Sequence, residues 1–325
     1  MCVFDVSING KRSAIRFPLR RFFYLRFNKN QSVKIQNKND FFLGEKIFLR
    51  DKNAKKNKLV LLIFVDGLAD LDTLLGKDSK KKYLPNTYKF FSKGTIFQNH
   101  FANSDWSLPS IANIFTGKYI QHHGLFHNSL RHKIRSNVKL LSEYFKNNNY
   151  LTSSIGGGWR ANPFYGYNRG FDRVVYQRWI PSNEVISNFF DHYRAFSHRS
   201  HFSFLSFNDI HQFLDKIPET SIQTSKFPYY LDEEFLNKNK NLKSVDVKFD
   251  ERKILSFKES LKKLDNDLEA IYEFVRKNIK NNKYLVTLFT DHGQAFFNRN
   301  KEDKSTLSLA KRKIVWFIRG KGIPR

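Results

Sequence analysis

Lys58-Leu-Val-Leu-Leu-Ile-Phe-Val-Asp-Gly67 is a continuous apolar run closed by an acid and a glycine. Because polar residues do not alternate with apolar ones, the run predicts a parallel strand covered on both faces, not a strand with one wet face. In open α/β sheets ligands bind beyond the carboxyl ends of the strands. A carboxylate at the tip of a buried strand is costly unless it is paired, so Asp66 is a candidate functional residue. Two later runs have the same form. His201-Phe-Ser-Phe-Leu-Ser-Phe-Asn-Asp-Ile-His211 ends in Asn208, Asp209 and His211, and Tyr284-Leu-Val-Thr-Leu-Phe-Thr-Asp-His-Gly293 ends in Asp291 and His292.

Helical patterns separate these strands. Pro85 opens a helix that Gly94 ends, Leu140–Tyr150 is a second, and Phe257–Ile279 repeats Leu261, Leu264, Leu268, Ile271 and Val275 at helical spacing. Further strands are expected at Thr95–His100, Leu151–Ile155 and Ile314–Ile318, with irregular chain over 161–172 and a polar lid or insertion over 212–250. This alternation predicts an α/β fold with a doubly wound, mostly parallel sheet flanked by helices. Residues 1–57 read differently, as a β-rich N-terminal extension and linker. Its strand-like pieces are Cys2–Ile8, Ser13–Phe17, Phe22–Phe27, Ser32–Ile35 and Lys46–Arg50, ahead of a main domain over 58–325.

Bulk properties narrow the classes. The 325 residues suffice for one large or two modest domains, and 40% hydrophobic content with 34 Phe fits a folded chain. No apolar run has the length of a membrane span, and the N-terminus lacks a basic n-region and an apolar h-region, so a cytoplasmic location is expected. A single cysteine, Cys2, excludes an intrachain disulfide and a thiolate metal cluster. The formal net charge of +27 is spread over the whole chain with abundant Lys and Asn. It therefore reads as compositional drift, without an Arg-rich arm, zinc finger or RNP-like motif, although it would attract an anionic substrate.

Asp105-Trp-Ser-Leu-Pro-Ser-Ile-Ala-Asn-Ile-Phe-Thr-Gly117 places a hydroxyl, Ser107, just before a short helical run over Ser110–Phe115. By itself this is an ordinary capping turn. A nucleophile placed there would gain from the positive end of the helix and its unpaired N–H groups. Asp70 and Asp72 read as first-turn acids of a helix, His122 and His123 as turn residues, and His127 and His132 as solvated surface.

In order and spacing, Val65-Asp-Gly67, Ser107-Leu-Pro-Ser110 running to Thr116-Gly-Lys-Tyr119 and His123-Gly124, Gly170-Phe-Asp172 and Thr290-Asp-His-Gly293 resemble the sulfatase branch of the alkaline phosphatase superfamily. Leu84-Pro-Asn86, Gly94-Thr-Ile-Phe-Gln-Asn99 and the Lys262-Lys-Leu-Asp265 helix support it. The resemblance implies that Asp66, Ser107, Asp291 and His292 hold one divalent metal ion (Ca, Mn, Mg or Zn). Ser107 would be the nucleophile of a covalent intermediate, and His211 a catalytic, substrate-binding or leaving-group histidine. Arg160, Lys311 and Lys313 would bind the anionic group. The implied substrate is a small-molecule, glycan-linked or lipid-linked sulfate or phosphate ester, with no specific nucleic acid as partner.

Three departures qualify the resemblance. Ile111 stands where formylglycine-forming sulfatases carry an arginine, so formylglycine is not expected. Gly67 replaces the usual second acid, and the loop Gly156-Gly-Gly-Trp-Arg160 lacks the usual lysine and histidine. The set looks closer to the hydroxyl-nucleophile phosphotransferases and phosphodiesterases, without the usual C-terminal subdomain. Two other classes stay open: an inactive relative that binds an anionic glycan or lipid head group, and a charge-driven nucleic-acid binder.

Overall fold

The computed structural model describes residues 2–17, 22–38, 43–49, 58–129, 131–158, 160–211, 251–297 and 308–324. The linker over 50–57 and the insertion expected over 212–250 lie outside the described residues. Near the N-terminus, β1 (Cys2–Ile8) pairs antiparallel with β2 (Lys11–Phe17) through the Asn9-Gly10 turn, and on its other side with β3 (Val33–Gln36).

Seven strands build the second sheet: β4 (Leu59–Val65), β5 (Thr95–Phe101), β6 (Leu151–Gly156), β7 (Arg173–Tyr176), β8 (His201–Phe207), β9 (Tyr284–Phe289) and β10 (Lys313–Gly320), in the order β5-β10-β9-β4-β8-β6-β7. β9, β4, β8, β6 and β7 are parallel, whereas β10 runs antiparallel to β9 and β5. Every residue of β4 is buried. Its alternate side chains serve two cores, with Leu59, Leu61, Ile63 and Val65 on one face and Val60, Leu62 and Phe64 on the other. This double covering is why the run carries no polar alternation.

The helices are α1 (Leu71–Leu75), α2 (Ser79–Tyr83), α3 (Pro85–Phe91), α4 (Ser107–Thr116), α5 (Ile120–His123), α6 (Leu141–Asn147), α7 (Ser182–Ala195), α8 (Glu251–Asn278) and α9 (Leu309–Arg312). On the first face, Leu261, Leu264, Leu268, Ile271 and Val275 of α8 meet Val185, Ile186 and Phe189 of α7. On the second, Leu108, Ile111, Ala112 and Phe115 of α4 cover Phe64 and Phe204. No helix among the described residues is long and apolar enough to cross a membrane.

Four details differ from the sequence reading. α4 starts at Ser107 itself, since Pro109 falls in the first turn, where a missing N–H has no intrahelical acceptor to lose. Neither 22–27 nor 46–49 is a strand. Carbonyls there are taken by side chains of the main body: Arg173 donates to Glu45 O, Arg199 to Phe48 O, and the His198 ring pairs with Leu49 O. The Tyr24 hydroxyl bonds the buried His192 ring at 2.7 Å, which holds this segment against α7. β7 and α7 are additional elements. Finally, the β8 and β9 runs leave the sheet at Phe207 and Phe289, so their polar ends lie on turns.

Asp265, on α8, is fully buried and caps α3 from outside, accepting from Asn86 N at 2.8 Å and Thr87 N at 2.9 Å. Replacing it with Ala leaves two N–H groups of a partly buried helix start unpaired. Asp265→Ala is expected to lower unfolding free energy by about 2 kcal/mol. An unchanged urea midpoint would show that water serves those groups equally well.

Candidate active site

Asp66 and Gly67 leave β4 in a turn, while Asn208 and His211 lie on the turn after β8. Asp291 and His292 follow β9, and Ser107 opens α4. All come from the carboxyl ends of adjacent parallel strands or from the helix start that faces them, and Asp66, Ser107, Asp291 and His292 are buried. The Ser107 hydroxyl lies 3.4 Å from Asp66 Oδ1 and 3.2 Å from His292 Nε2. Asn208 Nδ2 donates to Asp66 Oδ2 at 3.0 Å. His211 Nε2 is 3.6 Å from Asp66 Oδ1, with its side chain 20% exposed at the edge of the group.

The backbone sets the remaining orientations. Asp291 Oδ1 accepts from the N–H groups of His292 at 2.9 Å and Gly67 at 3.2 Å, and Thr290 Oγ1 receives Leu68 N. His292 Nδ1 bonds the Gly293 carbonyl at 2.8 Å. A carbonyl can only accept, so Nδ1 carries the proton and the Nε2 lone pair faces Ser107. Gly293 permits close approach, since a Cβ there would meet Ala310 O at 2.0 Å. That contact brings α9 against the site, where Lys311 donates to Asp105 O at 3.0 Å.

Electrostatics here are dominated by burial. Asp66 is pushed up to about 8, first by desolvation and then by the Asp291 carboxylate, with His292, Ser107 and Lys311 opposing. Burial also lowers His292, His211 and Lys311, and the nearby carboxylates pull each of them back. Asp291 Oδ2 is buried without a hydrogen-bond partner among the described residues. Two adjacent buried carboxylates, one with an orphaned oxygen, form the donor set a divalent cation satisfies. Ligand atoms of Asp66, His211 and His292 lie within 4.8 Å of one another.

Of the remaining expected site residues, Arg160 stacks its guanidinium over Trp106, the neighbour of Ser107, at 5.5 Å. Lys311 reaches the site from α9. Lys313 begins β10, in register with Phe101; its N–H donates to Leu309 O and its carbonyl accepts from Asp70 N. The sequence reading missed Gln294, whose only signal was its place directly after Asp291-His-Gly293. Gly67 has φ +76 and no Cβ; one placed there would lie 2.1 Å from Gln294 Nε2 and 3.0 Å from His211 Cδ2. His123 is a buried structural residue, bonded to Asn113 Oδ1 and Leu125 N.

Comparison with known proteins gives a match of the Sulfatase family model to residues 58–324. No curated protein sequence matches the chain. Solved structures share its fold, among them the following three. BT1596, a 2-O GAG sulfatase, has 14% identity and TM-score 0.58 over 82% of this chain and 65% of its own. The phosphonate monoester hydrolase of Agrobacterium radiobacter has 14% identity and TM-score 0.58 over 81% and 68%. The C-terminal periplasmic domain of EcEptC from Escherichia coli, in complex with Zn, has 12% identity and TM-score 0.55 over 84% and 75%.

The raised Asp66 value has a defined sign. An acid whose folded value lies above its ordinary 3.8 adds stability that is full below 3.8, falls away as pH rises, and is gone above about 8. Metal-free protein is therefore expected to lose thermal stability across that window. Asp66→Asn should flatten the profile, and a bound divalent cation should reverse the loss at the alkaline end. A melting temperature independent of pH in the metal-free wild type would contradict the buried carboxylate pair.

Proposed function

Because the chain belongs to the sulfatase family, we propose that it is a divalent-metal-dependent hydrolase or transferase acting on sulfate or phosphate esters, with Ser107 as nucleophile. The observation that carries this reading is the convergence of the Ser107 hydroxyl on Asp66 Oδ1 and His292 Nε2 beside the orphaned Asp291 Oδ2. Asp66, Ser107, Asp291 and His292 would hold the cation, with His211 at its edge. A mixed carboxylate and imidazole set favours zinc or manganese over calcium. The cation supplies charge neutralisation and a lowered hydroxyl pKa.

The chain's own groups do the rest. Ser107 Oγ, losing its proton towards Asp66 Oδ1, bonds to the sulfur or phosphorus as the bond to the leaving oxygen breaks. His211 stands where it can protonate that oxygen. Water or an acceptor alcohol then attacks the same atom and gives up its proton to His211, the bond from that atom to Ser107 Oγ breaks, and Oγ takes its proton back from Asp66. Lys311 and Arg160 oppose the negative charge of the transferred group, and the N-terminus of α4 adds its dipole.

Turnover of aryl sulfate, aryl phosphate and bis-aryl phosphate esters with each divalent ion tests the reading. Ser107→Ala and Asp291→Ala are expected to abolish activity, and Lys311→Met to lower kcat by about 10²- to 10³-fold. The preferred ester chooses between sulfuryl and phosphoryl chemistry. Activity surviving Ser107→Ala would refute the nucleophile, and a folded protein inert with every ion would instead be an anion-binding relative.

A further inference from the structure

Gln294 and Gly67 fit together in a way the proposed chemistry does not use. The Gln294 carboxamide occupies the space that a side chain at position 67 would need. The point where a Cβ would stand touches both Gln294 Nε2 and the His211 ring. The amide therefore lies against the group formed by Asp66, His211 and His292, on the side where the strand turn carries no side chain of its own. Its backbone is fixed by a hydrogen bond from Gln294 N to Ala310 O at 2.9 Å, next to the bond that brings Lys311 O to Gly293 N at 2.7 Å. Gln294 Nε2 is buried, yet it has no hydrogen-bond partner among the described residues. A buried amide donor left without an acceptor costs free energy comparable to a lost hydrogen bond. None of the carboxylates in the group accepts a hydrogen bond from it among the described residues.

We propose that Gln294 is a substrate-recognition residue, whose amide nitrogen donates to a non-bridging oxygen of the sulfuryl or phosphoryl group. This rests on the reading of the site as an anionic-ester centre. Chemically, a neutral donor stands beside the strand end where a side chain, and in particular a second carboxylate, would otherwise project. The consequence is one less repulsive charge against an incoming anion and one more hydrogen bond to it. Gly67 is its structural counterpart, because any side chain there would push the amide out of place.

The test is calorimetric titration of inorganic phosphate into the protein loaded with the cation that supports turnover. Wild type is compared with Gln294→Met, which keeps the length and removes the donor, and with Gln294→Glu, which replaces the donor by a charge. Phosphate affinity is expected to fall roughly tenfold in Gln294→Met and further in Gln294→Glu, with the thermal midpoint of phosphate-free Gln294→Met no lower than that of wild type. Gly67→Ala should weaken phosphate in wild type and add little on the Gln294→Met background, since both act through one amide. Phosphate binding unchanged in Gln294→Met would overturn the assignment of Gln294 while leaving the anion site standing. Wild type that does not bind phosphate would overturn both, and the two failures are thereby distinct. Additive effects of Gly67→Ala and Gln294→Met would also count against the proposal, because they would make Gly67 a folding requirement alone.

Discussion

Two carboxylates buried side by side are the constraint around which this site is arranged. Asp66 and Asp291 sit at the ends of adjacent parallel strands, both nearly solvent-free. Burial, and then the neighbouring Asp291, disfavour the charged form of Asp66. Each compensating feature nearby answers that problem: Asn208 and Ser107 on Asp66, backbone N–H groups on Asp291, the His292 ring between them, and a lysine from beyond the sheet. One oxygen, Asp291 Oδ2, accepts no hydrogen bond from the described residues and lies 3.5 Å from His292 Nε2.

The same constraint explains why the site was largely legible in the sequence. A doubly covered strand must be apolar throughout, so a carboxylate ending such a run stands out, and Asp66, His211, Asp291 and His292 all follow runs of that kind. Ser107, an ordinary capping residue by its local pattern, stood out only through the family resemblance. What escaped notice had weaker local signals. Val185, Ile186, Phe189 and Tyr193 do have helical spacing, but α7 begins after Pro181 without a side-chain cap. β7 is a four-residue edge strand, too short for its pattern to speak.

Lys311 and Lys313 show a different limit. Two residues apart in one basic run, they were indistinguishable as candidate anion binders. The junction of α9 and β10 separates them, because the first precedes the strand and the second is bound into its register with β5. Gln294 was invisible for a related reason. Its significance comes from the empty volume at Gly67, far away in the chain, and no local pattern encodes a volume supplied by a distant residue.

The reversed direction of β10 has a consequence for how the chain becomes competent as it is made. The parallel strands deliver functional groups at their exits, whereas β10 delivers Lys311 just before its entrance. During synthesis Asp66 and Ser107 emerge early, and Asp291 appears long afterwards. Only then does the neutralising lysine leave the ribosome. A nascent chain therefore cannot assemble the paired acids with their full complement until β10 has inserted between β5 and β9. Completion of the central sheet and assembly of the grouped acids, histidine and lysine thus fall together, late in synthesis.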